Sequence, residues 1–136
     1  MYLLDSNVLS ETRKRHPAAA VAGWIAATPP GRLHVSVLTL GEIEQGIARI
    51  RGRGDQEQAS ALEHWLDDVQ AGLEDRVLPV TLPVAAAWGR QQHAQPIPVI
   101  DGLIAATARV HGMTVVTRNV RDFEMTGADV LNPFDD

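Results

Sequence analysis

The chain has 136 residues, of which 45% are hydrophobic and 21% charged, with a formal net charge of −5. That is the length and balance of one domain with a core of its own, and it argues against unspecific nucleic-acid binding by the whole surface. The absence of cysteine excludes disulfides, zinc–thiolate sites and thiol nucleophiles, so any metal must be held by oxygen or imidazole. No signal-peptide pattern and no bilayer-length apolar run is read, and the expectation is a cytoplasmic protein without membrane contact.

The chain opens on Tyr2-Leu3-Leu4-Asp5-Ser6-Asn7. A short apolar run ending in a carboxylate reads as a strand buried on both faces, with Asp5 at its carboxyl end. Open parallel sheets bind ligands there. Asp5 or Ser6 caps a helix to about Arg13, and Arg13-Lys14-Arg15 then suits either the helix dipole or RNA phosphates. Pro17 is expected to open an alanine-rich helix to about Ala27, which Pro29-Pro30-Gly31 ends.

Leu33–Ser36 reads as a second strand. Leu40, Ile43, Ile47 and Ile50 mark a helical stripe, and Leu62, Leu66, Val69 and Leu73 mark another on a helix over Gln56–Leu73. With 51–55 as a loop, these form an αα-hairpin inserted between strands. Val77–Val80 is a third strand, and Pro79 suggests an edge position or an irregular end. Pro83 starts a helix to about Gln92, and 95–98 is a rigid connection. An apolar helix covers Val99–Val110 and stops at Gly112. Thr114–Thr117 is a β-branched strand, Arg118–Glu124 a polar loop, and Asp129–Leu131 a last short strand. Strands and helices alternate without repeats or linkers, which predicts one α/β domain over 1–136 with a mainly parallel sheet.

Asp5, Glu42, Asp101 and Asp122 all fall at strand ends or helix starts. Converging acids repel one another, so a cation is needed to gather them, and hard oxygen ligands favour Mg²⁺ or Mn²⁺. Each acid also has a purely structural reading. Asp5 can be a helix N-cap, and Thr39-x-x-Glu42 has the form of a capping box. Asp101 can be a first-turn aspartate, although its apolar surroundings demand a partner or a metal. Asp122 can be an ordinary loop residue. His16, His34, His64, His93 and His111 show no ligand spacing. Trp24, Trp65 and Trp88 read as core or interface residues.

Leu-Leu-Asp-Ser-Asn at 3–7, Leu-Gly-Glu-Ile at 40–43, Ile-Asp-Gly-Leu-Ile-Ala-Ala at 100–106 and Val-Thr-Arg-Asn-Val-Arg-Asp-Phe at 116–123 together resemble a PIN-domain ribonuclease. More narrowly they resemble the VapC toxins of bacterial toxin–antitoxin pairs, in the FitB-like branch. The resemblance covers essentially the whole chain. It implies a PIN-like three-layer α/β/α fold with the inserted αα-hairpin, and an endoribonuclease dependent on Mg²⁺ or Mn²⁺. The family's four acids fall on Asp5, Glu42, Asp101 and Asp122, and its polar positions on Thr117 and Asn119, with Ser6 and Asn7 beside the first acid. It further implies a homodimer neutralised by a cognate antitoxin whose own domain binds operator DNA. RNA needs local positive charge beside an acidic pocket; Arg13, Lys14, Arg15, Arg118 and Arg121 are the candidates, with Arg49, Arg51 and Arg53 behind them. A catalytically silent PIN-fold binding module is the alternative. A haloacid-dehalogenase-like phosphatase fits less well, because Asn7 stands where its second aspartate is needed and Lys14 is the only lysine.

Overall fold

The computed structural model describes residues 1–91 and 95–135. The strands are β1 (Tyr2–Leu4), β2 (Leu33–Ser36), β3 (Val77–Leu78), β4 (Thr114–Val116) and β5 (Val130–Leu131). They form one sheet in the order β3-β2-β1-β4-β5, with every pairing parallel. The helices are α1 (Ser6–Glu11), α2 (Ala19–Ala27), α3 (Val37–Gly52), α4 (Gln56–Leu73), α5 (Leu82–Arg90), α6 (Val99–His111) and α7 (Val120–Glu124).

Side chains alternate across a strand, so neighbouring residues enter different layers. Leu4, Val35 and Val116 face a core completed by Val8, Val21, Leu40, Ile47, Leu66 and Leu73, from α1 to α4. Leu3 and Val115 face a second core built by Ile104, Ala105, Ala108 and Phe123, from α6 and α7. This is the expected three-layer α/β/α arrangement. Both faces of β1 and β4 are buried, which is why those strands read as unbroken apolar runs.

The order of strands positions the site. From β1 the chain moves outward through β2 to β3, then crosses to β4 on the other side of β1. Neighbouring strands β1 and β4 therefore lead away in opposite directions, and a crevice opens at their carboxyl ends. The α3–α4 hairpin stands between β2 and β3, as expected, and edge strand β3 ends before Pro79.

Several boundaries differ from the sequence reading. Helix α1 stops at Glu11 rather than Arg13, and α2 starts at Ala19 rather than Pro17. The buried Glu11 carboxylate accepts the Ala18 N–H at 2.9 Å and pairs with Lys14 at 2.8 Å. It thereby fixes the turn between the two helices and delays the second. Arg51 and Gly52 belong to α3, not to a loop. Residues 118–124 are not a polar loop throughout, because Val120–Glu124 is helical and buries Phe123 completely. A single turn is too short for periodicity to reveal, and tertiary burial stabilises it. The capping box is also corrected. The cap of α3 is Ser36, whose Oγ accepts the Leu38 N–H at 3.0 Å, and Thr39 lies inside the helix. The predicted end of α5 at Gln92, and His93, lie outside the described residues.

Candidate active site

Asp5 follows β1 directly and is 4% exposed. Its backbone N–H bonds the Val116 carbonyl oxygen at 2.9 Å, which holds it to the end of β4. Its Oδ1 accepts the Ser6 N–H at 2.9 Å, so the N-cap reading holds. Its Oδ2 accepts from Thr117 Oγ1 at 2.9 Å and from Asn7 Nδ2 at 3.2 Å. Thr117 is itself saturated: beyond its bond to Asp5, its oxygen accepts from Asn7 Nδ2 at 3.2 Å and from the Asn119 N–H at 2.9 Å. Asn7 Oδ1 accepts the Arg118 N–H at 3.1 Å. Burial still raises the Asp5 pKa, against the lowering effect of Thr117, Ser6 and Asn7. The charged form is thus disfavoured by the interior although its oxygens are satisfied.

Glu42 and Asp101 approach the same crevice from α3 and from the first turn of α6. Glu42 Oε1 is buried and has no hydrogen-bond partner among the described residues, an expensive state for a carboxylate. Burial raises its pKa first, and the charges of Asp5 and Asp101 raise it further, with the Ser6 side chain in opposition. Asp101 is pushed up to about 6, by burial and then by Asp5 and Asp122. Asp122, in the first turn of α7, accepts from Asn119 Nδ2 at 3.0 Å. Asp5, Glu42 and Asp101 therefore act on one another electrostatically, and Asp122 acts on Asp101, although their positions span almost the whole chain. Among the described residues no three acids or histidines already stand close enough to enclose an ion. The donor set still fits a hard divalent cation: all ligands are oxygen, one carboxylate oxygen is orphaned, and the group repels itself until a positive charge joins it.

Residues 2–128 match the protein-family model described as PIN domain. The chain belongs to the PIN-domain family. This PIN domain is 33% identical to the VapC ribonuclease Y4jK of Sinorhizobium fredii over 99% of both chains. It is also 33% identical to Toxin FitB of Neisseria gonorrhoeae over the full length of both. Its fold superposes on the N. gonorrhoeae FitAcB crystal structure with a TM-score of 0.91, at 30% identity and covering 99% of each chain. The structure of FitAB bound to a DNA fragment gives 0.89, covering 98% of this chain and 96% of that one.

The basic candidates separate in this PIN domain. Arg13 lines a cleft of about 370 Å³ together with Ser6, Glu42 and Arg49. Lys14 is tied to Glu11. Arg15, Arg53 and Arg121 are exposed, and Arg118 lies with its guanidinium 3.6 Å from the centre of the Phe134 ring. Arg51 is bound to Glu63 at 2.6 Å and to Gln56 at 3.0 Å. Sequence reasoning missed the Glu11 staple, although Glu11 and Lys14 stand at helical i,i+3 spacing. It also missed the seat of Asp101. A Cβ on the next residue, Gly102, would come within 3.1 Å of the Trp88 indole, and Gln91 Nε2 donates to the Gly102 carbonyl at 3.2 Å. No periodicity signals such a close approach.

Proposed function

We propose that this protein is the toxin of a toxin–antitoxin pair, a divalent-metal-dependent endoribonuclease contained in one PIN domain over residues 1–136. The observation that carries the reading is the meeting of Asp5, Glu42, Asp101 and Asp122 in one electrostatic field at the carboxyl ends of β1 and β4. Relatives named as a VapC ribonuclease and a toxin, alike over nearly their whole length, support it.

Asp5 and Asp101 are the first ligands for Mg²⁺ or Mn²⁺ in this reading, with Glu42 and Asp122 joining directly or through water. A bound cation of this kind supplies Lewis acidity toward the phosphodiester oxygens and toward the attacking water. Thr117 and Asn7 keep Asp5 in one orientation, and Asn119 donates to Asp122. The orphaned Glu42 oxygen is free to accept a proton or a water. Basic side chains at the margin, Arg13 foremost, offset repulsion between the acids and RNA phosphates.

The expected antitoxin partner is supported by the likeness to Toxin FitB and to the FitAB and FitAcB structures that share the fold. An operator-binding role belongs to that partner. A homodimer is supported by the exposed apolar Trp88 and Val99, which line one recess with Ile97 and Pro98. A silent binding module of the same fold is the competing reading. Incubating antitoxin-free protein with RNA in Mg²⁺ or Mn²⁺ and mapping new 5′ ends separates them, with Asp5→Asn as control. Cleavage by the wild type alone supports the ribonuclease. Metal-dependent stabilisation without cleavage by either supports the silent module.

A further inference from the structure

The cleft beside the acids has a composition that the hydrolytic chemistry does not use. It lies between α1 and the α3–α4 hairpin, and Ser6 and Glu42 line both it and the acidic crevice. Arg13 enters from the turn after α1 and Arg49 from α3; both are exposed, and neither takes part in an ion pair among the described residues. Trp65, partly buried on α4, supplies aromatic wall, and Gln45 is exposed on α3 between Glu42 and Arg49.

We propose that this cleft seats the base of a single-stranded RNA nucleotide next to the scissile phosphate, and that Gln45 determines base specificity there. The inference rests on the ribonuclease reading above. Single-stranded RNA is held by cations on its backbone, aromatic faces against its bases and amide groups on base edges. The cleft presents all three types beside the acids: two arginines, one tryptophan and one glutamine. About 370 Å³ is the size of a small-ligand site. Ile43, Ile47, Ile50 and Leu62 complete the lining and give a base an apolar floor, while the two exposed arginines without an ion-pair partner among the described residues suit a phosphate-bearing occupant. The mixed lining here suits a polar, planar group with an adjoining phosphate. Arg13 and Arg49 then bind without base preference, Trp65 contributes affinity for any base, and Gln45 discriminates.

The test uses the full-length, antitoxin-free protein and short single-stranded RNAs randomised on both sides of the cleavage site. Wild type is expected to prefer one base at one flanking position. In Gln45→Ala that preference should fall at least about fivefold, the low end for an amide–base contact. KM for the favoured base should rise while kcat and the melting temperature hold. Arg13→Ala with Arg49→Ala should weaken all sequences alike. Trp65→Leu should weaken all bases at least about fivefold, and Trp65→Phe should recover part of that loss; Trp65→Phe carries this arm if the leucine variant does not fold. An unchanged base profile in Gln45→Ala, or a wild type without preference at either position, overturns the proposal and leaves the cleft to a protein partner. Absence of cleavage by wild type counts against the ribonuclease reading instead. The cleft is then tested by filter binding of the same RNAs, and equal binding by wild type, Gln45→Ala and Trp65→Phe overturns it.

Discussion

Asp5 and Asp101 are the same side chain in one field, yet their surroundings differ completely. Asp5 has donors on both oxygens, from Ser6, Asn7 and Thr117, and a backbone bond to β4. Asp101 is shifted by burial and two neighbouring carboxylates, and nothing opposes that shift. Glu42 belongs with Asp101, since one of its oxygens is buried without a partner. One side of the site is thus a finished hydrogen-bond network, which fixes geometry before any ligand arrives. The other side is left electrostatically unsatisfied, a state that a bound cation would relieve in the proposed reading. In that reading orientation and affinity fall to different residues.

The comparison breaks most readily at the unsatisfied side. Asp101→Asn should cost cleavage more than the roughly 10–100-fold typical of disturbing a metal's supporting shell, while making the metal-free protein more stable. The sign follows from linkage. The folded pKa of about 6 lies above the ordinary 3.8, so the native state binds more protons between those values. Stability of the metal-free protein should fall as pH rises through that window. Asp101→Asn should remove much of this dependence and gain roughly 1 kcal/mol near neutral pH, once solvent screening is allowed for. Thermal melts from pH 3.5 to 7.5 in chelator check it. A wild type that becomes steadily more stable over that range would sink the electrostatic account.

Thr117→Val tests the finished side. It removes the hydroxyl that donates to Asp5 and accepts from Asn7 and Asn119, so cleavage should drop by about 10–100-fold. Its metal-free melting temperature should also fall, because Asp5 stays buried with one donor fewer. Single-turnover cleavage and melting together read both effects, and a loss of activity without loss of stability would move Thr117 out of the network.

Glu42→Gln and Ser36→Ala sharpen the correction at α3. Removing the cap at Ser36 should cost about 1 kcal/mol with cleavage retained, whereas Glu42→Gln should lose cleavage and leave the metal-free protein as stable or more so. Thr39→Val should be neutral or mildly stabilising, since Thr39 Oγ1 is buried without a partner. Urea titrations rank the three. A large loss of stability in Glu42→Gln would restore a structural role to the glutamate.

The smallest effect is expected among the basic residues. Arg13→Ala should reduce the slope of log RNA affinity against log salt by about 0.7, one phosphate contact on a single strand. Lys14→Ala should leave that slope unchanged and lower the melting temperature slightly, because Lys14 is committed to Glu11. Equal slopes for the two variants would return both residues to a common patch.

Periodicity and turn residues by themselves determined the alternation of strands and helices, both hairpin helices and the stop of α6 at Gly112, and they narrowed β3 to an edge or an irregular end. These are local consequences of burial on one face or both, of glycine at a left-handed cap (φ 67°) and of proline's missing donor. The place of Asp5 at the end of β1 was legible too, because a carboxylate closing an apolar run stands out against its neighbours. The hydrogen-bond network around it was not. That Thr117 completes Asp5 depends on β4 pairing with β1 across 112 positions of sequence. That Ser36 rather than Thr39 caps α3 depends on where β2 ends within the sheet. That Lys14 is tied while Arg13 faces the cleft depends on the turn that the buried Glu11 closes. Each is a contact between segments whose separation in sequence or orientation in space carries no local signal, so packing alone decides it.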